Sequence, residues 1–184
     1  MVMFMGLRPA KTFRKPDRQP WSRYSKSKPR KSYIKAMPHA DLHQFRMGEM
    51  KDDFDLEINL VCQEDIIVRD NAIESARQTS NKHLEKVMAG TYYFLVRIFP
   101  HHVIRENKMI SGAGADRLQK GMRRSYGRPT DKAAILKKGK SIFTVYSYEE
   151  NTEHIKKCLE KAKRKLSGTY KIAVKSLGPS KKAP

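Results

Sequence analysis

The stretch that decides the fold runs from Phe54 to Phe99: FDLEINL (54–60), then QEDIIVRDNAIESARQTSNKHLEKVM (63–88), then YYFLVRIF (92–99). In the first piece Phe54, Leu56, Ile58 and Leu60 alternate with Asp55, Glu57 and Asn59, the period of a strand with one buried face. In the second, Ile66, Ile73, Ala76, Ser80, Leu84 and Val87 fall near one stripe of a helix spanning Gln63 to Met88. Glu64 and Asp65 stand in its first turn, Lys86 in its last, and Gly90 follows as a stop signal, each suited to a helix end. The third piece is rich in aromatic and β-branched residues and is closed by Pro100, as a strand is.

Further along, the pattern recurs. Lys132 to Lys137 and Ser141 to Ser147 read as two strands joined at Lys138-Gly139. Glu149 to Leu166 reads as a second helix with Ile155, Cys158, Leu159 and Ala162 inward and a lysine-rich outer face. Gly168 stops it, and Tyr170 to Val174 is a final strand. Two strand–helix–strand units predict an α+β domain with helices on one side of a mixed sheet. The domain is expected over 48–176, with a basic N-terminal extension (1–47), a long central loop (108–131) and a basic tail (177–184).

Charge divides the chain along the same boundaries. The whole carries 39 basic and 19 acidic side chains, a net +20. Residues 1–51 contribute net +10, residues 52–99 net −4, residues 100–140 net +8 and residues 141–184 net +6. A lone globular protein so charged repels itself, and a polyanionic partner relieves the repulsion. Nucleic acid is the first candidate. A membrane is not expected, because no apolar run approaches the ~20 residues that span a bilayer. Cys62 and Cys158 form no CxxC and have no nearby His at metal-ligand spacing, so they read as reduced core thiols of a cytoplasmic protein with no metal and no cofactor.

The extension interrupts itself with Pro9, Pro16, Pro20, Pro29 and Pro38, which break helix. Arg8 precedes them, and between them lie Lys11, Arg14, Arg18, Arg23, Lys26, Lys28, Arg30, Lys31 and Lys35, interleaved with Phe13, Trp21, Tyr24 and Tyr33. Cations that neutralise phosphates beside rings that stack on bases suit looped RNA.

From His101 the central segment runs HHVIRENKMISGAGADRLQKGMRRSYGRP (101–129). Between Ile110 and Lys132 hydrophobic periodicity is almost absent, and such a long loop in a small domain is usually functional or disordered. Gly112, Gly114, Gly121 and Gly127 permit close approach to a partner, and Arg117, Lys120, Arg123, Arg124 and Arg128 place five cations in twelve positions. Arginine's planar fork suits phosphates and bases. A dinucleotide turn at Gly112-Ala113-Gly114 lacks its third glycine and its acidic ribose ligand. Ser111 with His101 and His102 lacks a nucleophile elbow and an orienting third group. No enzyme is expected; the imidazoles, with Arg105 and Lys108, are expected to be structural or to touch RNA.

That central string closely resembles the signature of a large-subunit ribosomal protein family, called L-sixteen in bacteria and L-ten-e in archaea and eukaryotes. Arg8-Pro9-Ala10 is similar to the family's opening, Lys31 to Met37 and Phe45-Arg46-Met47-Gly48 to its arm, and Asn71 to Lys82 to its first helix. The resemblance covers roughly residues 6–175 and is closer to the archaeal and eukaryotic branch. Met1 to Phe4 precede the family's usual start, so Met5 is expected as the natural start. The resemblance implies a hammerhead-type α+β domain. It implies a place between the central protuberance and the peptidyl transferase centre, in the 5S RNA neighbourhood, among large-subunit rRNA and other large-subunit proteins. It also implies a role in positioning aminoacyl-tRNA, with the loop toward A-site tRNA and, beyond it, P-site tRNA. The expected rRNA-binding set is Arg8, Lys11, Arg14, Arg18, Trp21, Arg23, Arg30, Lys31, Tyr33, Lys35, His101, His102, Arg105 and Lys108. The expected tRNA-facing set is Gly112, Gly114, Arg117, Lys120, Gly121, Arg123, Arg124 and Arg128. The rival class, a free nucleic-acid-binding regulator, leaves the acidic core segment and the arginine-glycine loop unexplained.

Overall fold

The structure, a computed structural model, describes residues 7–16, 34, 36–107 and 127–177. After a 3-10 turn at Ala10–Thr12, the elements run β1 (Arg46–Gly48), β2 (Leu56–Cys62), β3 (Ile66–Arg69), α1 (Asp70–Met88), β4 (Tyr92–Val96), β5 (His102–Glu106), β6 (Arg128–Leu136) and β7 (Ser141–Ser147). A second 3-10 turn at Glu149–Asn151 leads into α2 (Thr152–Lys165) and β8 (Tyr170–Ser176). The class is α+β, as the sequence implies.

The single mixed sheet is not what forms. A five-stranded sheet has the order β1-β4-β7-β2-β8, a three-stranded one the order β3-β6-β5, and every neighbouring pair is antiparallel. Interleaving is the reason. Helix α1 joins β2 to β4, which point the same way, but β7 of the second unit lies between them. Helix α2 joins β7 to β8, and β2 lies between those. Each strand–helix–strand unit is split by a strand of the other, so parallel strands never become neighbours.

Both helices cover one face of the large sheet. Strand β2 alternates as expected, with Leu56, Ile58, Leu60 and Cys62 buried and Glu57, Asn59 and Val61 half-buried. These pack with Phe94, Phe143 and Val145 against Ile73, Ala76 and Leu84 of α1 and Ile155, Cys158, Leu159 and Ala162 of α2. Val87 is not on that stripe: it is exposed, and Met88 takes the buried place. On the far face Phe54, Tyr93, Leu95 and Tyr146 make a smaller cluster.

The expected helix start at Gln63 is also corrected. Ile66, Ile67 and Val68 form strand β3 with every side chain buried, and α1 begins at Asp70. Consecutive β-branched residues favour an extended chain. Here both faces are covered: Ile66 and Val68 join the main core, while Ile67 packs with Phe13, Ile104 and Ala133. The strands on either side of Lys138-Gly139 exist, with Gly139 at φ +86°, but they part company. Strand β6 joins the small sheet and β7 the large one, so the turn carries the chain between sheets.

Candidate nucleic-acid interface

The strands that flank the central segment form a defined stem. Strands β5 and β6 pair antiparallel, with Ile104 opposite Asp131, Arg105 opposite Pro129 and Glu106 opposite Arg128. A register shift sits between Ile104 and Arg105. Because β6 also pairs with β3 (Val68 opposite Ala134), the stem is tied through β3 to the main core. Sequence reading missed β5 as a strand and placed 128–131 in the loop; the alternation there is broken by Pro129 and Asp131. Among the expected tRNA-facing residues, Arg128 lies on the stem and is exposed. Gly112, Gly114, Arg117, Lys120, Gly121, Arg123 and Arg124, and Lys108 at the loop's start, lie outside the described residues.

Two of the expected RNA contacts on β5 are internal. His102 and Arg105 are 5% and 3% exposed. Four consecutive β5 residues are buried because both faces of this strand are covered, so neither side chain presents a surface to a phosphate. Burial pushes the His102 imidazole down to about 4, with His101 and Arg105 adding to the fall, so it is neutral near pH 7. His101 is exposed, with Nδ1 3.1 Å from the Phe99 carbonyl oxygen. Phe99 is exposed too and stacks on Phe45, ring centroids 5.9 Å apart.

The described part of the N-terminal extension folds back onto the small sheet. Phe13, expected to stack on RNA, is instead 2% exposed and packed among Ile67, Ile104 and Ala133. The Arg69 guanidinium lies 4.6 Å from its ring centroid. The Ile67 amide donates to the Arg14 carbonyl at 2.8 Å, extending the sheet by one backbone bond. Arg14 donates both bonds of its Nη2 to the Glu64 carboxylate at 3.1 Å, and Arg8 stands 3.8 Å from Glu106. The Glu64 carboxyl is held below its ordinary range, first by Arg14 and then by the Thr169 amide. Of the expected rRNA set, then, Arg8 and Arg14 already have carboxylate partners within the chain, whereas Lys11 is exposed and makes no ion pair with a described residue. Arg18, Trp21, Arg23, Arg30, Lys31, Tyr33 and Lys35 lie outside the described residues.

At the rim of the stem Arg69 pairs with Asp131 at 3.5 Å, and Thr130 donates to the Ile104 carbonyl at 3.3 Å. These contacts tie the paired ends of β5 and β6 to β3. No group of three His, Cys, Asp or Glu among the described residues could hold a metal ion. Both cysteines are free and buried, and burial pushes the Cys158 thiol up to about 12. No helix among the described residues is long and apolar enough to cross a membrane. The lysine-rich outer face expected of the second helix is exposed on α2, at Lys156, Lys157, Lys161, Lys163 and Lys165.

Comparison with known proteins bears on what such an arrangement serves. Residues 21–173 match the family described as ribosomal protein L16p/L10e. The large ribosomal subunit protein uL16 of Methanococcus aeolicus is 39% identical over 92% of this chain and 95% of its own length. That of Archaeoglobus fulgidus is 40% identical over 88% and 92%, and that of Staphylothermus marinus 38% over 97% and 99%. With a family match across most of the chain and relatives aligned nearly end to end, the chain belongs to the ribosomal protein L16p/L10e family, structural constituents of the large ribosomal subunit.

Proposed function

We propose that this protein binds rRNA between the central protuberance and the peptidyl transferase centre, near the 5S RNA, and helps to position aminoacyl-tRNA in the A site and at the edge of the P site. Its neighbours there are rRNA and other large-subunit proteins, its domain is of the hammerhead type, and its role is structural rather than catalytic. The observation that carries the reading is the loop stem. A segment with four glycines and five cations between Gly112 and Arg128 is bracketed by paired strands that are bonded to the core. Such a segment can be held out toward a partner, and its cations neutralise phosphate without reading sequence, which suits a site that must accept every tRNA. Anchoring falls to the extension, through Lys11, Arg18, Arg23, Arg30, Lys31 and Lys35 with Trp21 and Tyr33, in a salt-sensitive way.

The test replaces Arg123 and Arg124 together by Ala. Mutant large subunits should assemble nearly normally but accommodate aminoacyl-tRNA more slowly, measured by rapid kinetics on purified ribosomes. Accommodation at the wild-type rate in ribosomes carrying the double variant sinks the reading.

A further inference from the structure

The fold neutralises some of its cations with its own carboxylates and leaves others without an ion pair among the described residues, six of them on one helix. Arg8, Arg14, Lys51, Arg69, Arg77 and Lys175 each stand within ion-pair distance of a carboxylate of the chain. On α2, Lys156, Lys157, Lys161, Lys163, Arg164 and Lys165 are all exposed, and none of them joins an ion pair among the described residues. The last three suit the negative end of the helix dipole. That effect fades within the last turn, so it does not account for Lys156, Lys157 and Lys161.

Helix α1 adds to the same surface. The Cys158 thiol lies 3.4 Å from the Ser80 carbonyl and marks where the helices touch. One turn on from Ser80, His83 is half-buried, and its imidazole is pushed below its ordinary value, first by burial, then by Lys161, His154, Lys157 and Lys86. Cations of both helices therefore converge on one place. The α1 carboxylate Glu85 accepts a bond from Asn81 at 2.6 Å, and Asn81 in turn accepts from the Tyr92 hydroxyl at 2.9 Å. Neither helix carries a Phe, Tyr or Trp, so the surface offers charge without the large stacking platforms that single strands use. A rigid row of ammonium groups suits regularly spaced phosphates.

We propose that the exposed faces of α1 and α2 around His83, Lys157 and Lys161 form an RNA-binding surface of their own, laid along the phosphate backbone of an RNA duplex. It rests on the reading of the protein as rRNA-bound, but it needs neither the extension nor the loop. The test uses the full chain. A Lys157→Gln, Lys161→Gln, Arg164→Gln variant and a control with Lys137→Gln, Lys138→Gln, Lys140→Gln lose the same charge from exposed positions. Binding to a generic RNA duplex is followed by fluorescence anisotropy across a salt series, with a thermal melt to confirm folding. The α2 variant should bind roughly tenfold more weakly at low salt, with the slope of log affinity against log salt shallower by about two to three, and the control should change little. Equal losses in both variants overturn the proposal. A photo-crosslinking residue at position 161 in assembled large subunits supplies the second arm: attachment to RNA supports the surface, and attachment to a protein overturns it. Failure of the wild-type chain to bind the duplex at all strikes instead at the rRNA-binding reading.

Discussion

At Phe13 the N-terminal segment meets the fold, and two kinds of contact hold it there. The ring is 2% exposed among Ile67, Ile104 and Ala133, whereas the Arg14–Glu64 pair is more than a third exposed on each side. Truncating a buried phenylalanine costs about 3–5 kcal/mol, while an exposed ion pair contributes about 1 kcal/mol or less. Phe13→Ala should therefore lower the melting temperature by roughly 6–20 °C, taking about 2–4 °C per kcal/mol for a protein of this size, and Glu64→Ala by far less. A larger effect at Glu64 would show that the carboxylate, which also accepts from the Thr169 amide at 2.8 Å, is the true anchor. His102 gives a residue-scale pH dependence. Its imidazole sits at about 4 in the fold, against 6.5 when unperturbed, so the unfolded chain takes up the proton first. Stability should thus fall as pH drops from about 6.5 to about 4, by about 3 kcal/mol for this group alone, and then level off. Asp70, whose carboxyl burial raises, gives the opposite sign at low pH, so the readout is a difference. Denaturant melts of wild type and His102→Asn should converge as pH falls through that window; parallel curves would refute the assignment.

At the scale of elements, the second unit was the more legible. The inward set Ile155, Cys158, Leu159 and Ala162 is buried in α2, and Gly168 ends the segment at φ +105°. Regular periodicity suffices there because one face meets the core and the other meets solvent. The first unit misleads where burial is two-sided. Ile66, Ile67 and Val68 are buried on both faces of β3, so no alternation marks the strand, and their run merges with the true stripe of α1. Strand β5 hides for the same reason, since buried His102 and Arg105 read as polar and external. What covers β3 and β5 comes from Phe13, about fifty and ninety residues away in sequence, which no local pattern encodes. Strand β1 was unread because it has only three residues, Arg46–Gly48, and its place on β4 depends on one backbone angle. Gly48 has φ +82°, and a Cβ there would stand 2.3 Å from the Tyr92 carbonyl oxygen. That neighbour is backbone and cannot turn aside. Gly48→Ala should cost at least about 2 kcal/mol, by strain and clash together, and should free the edge of the sheet. Hydrogen exchange checks it: the Glu49 amide, which donates to Tyr92 at 3.1 Å, should lose protection while β2 and β7 keep theirs.

Across the whole molecule, charge and core pull in opposite directions. The core reaches full burial at Ile58, Leu60, Phe94 and Phe143, yet the chain carries a net +20. The candidate interface was legible as composition, because arginines, glycines and aromatics crowd two segments. Which cations are spoken for was not legible, since the partners of Arg8, Arg14 and Arg69 lie 98, 50 and 62 positions away. The pairing occupies six acids, Glu49, Glu57, Glu64, Glu74, Glu106 and Asp131, and leaves surplus cations that repel one another until RNA arrives. Salt should then act with opposite sign on the free and bound protein. Exposed charges are screened over about 10 Å at 0.1 M salt, so raising salt from low ionic strength should relieve repulsion and raise the melting temperature of the free chain. With an RNA duplex in excess the protein gains stability from binding, by mass action, and salt weakens that binding by shrinking the entropy gained when counterions are released. The melting temperature of the complex should therefore fall over the same range, and the two curves should approach each other at high salt. Scanning calorimetry on both samples reads this directly. Parallel slopes would mean that the surplus charge neither strains the fold nor binds the phosphate backbone.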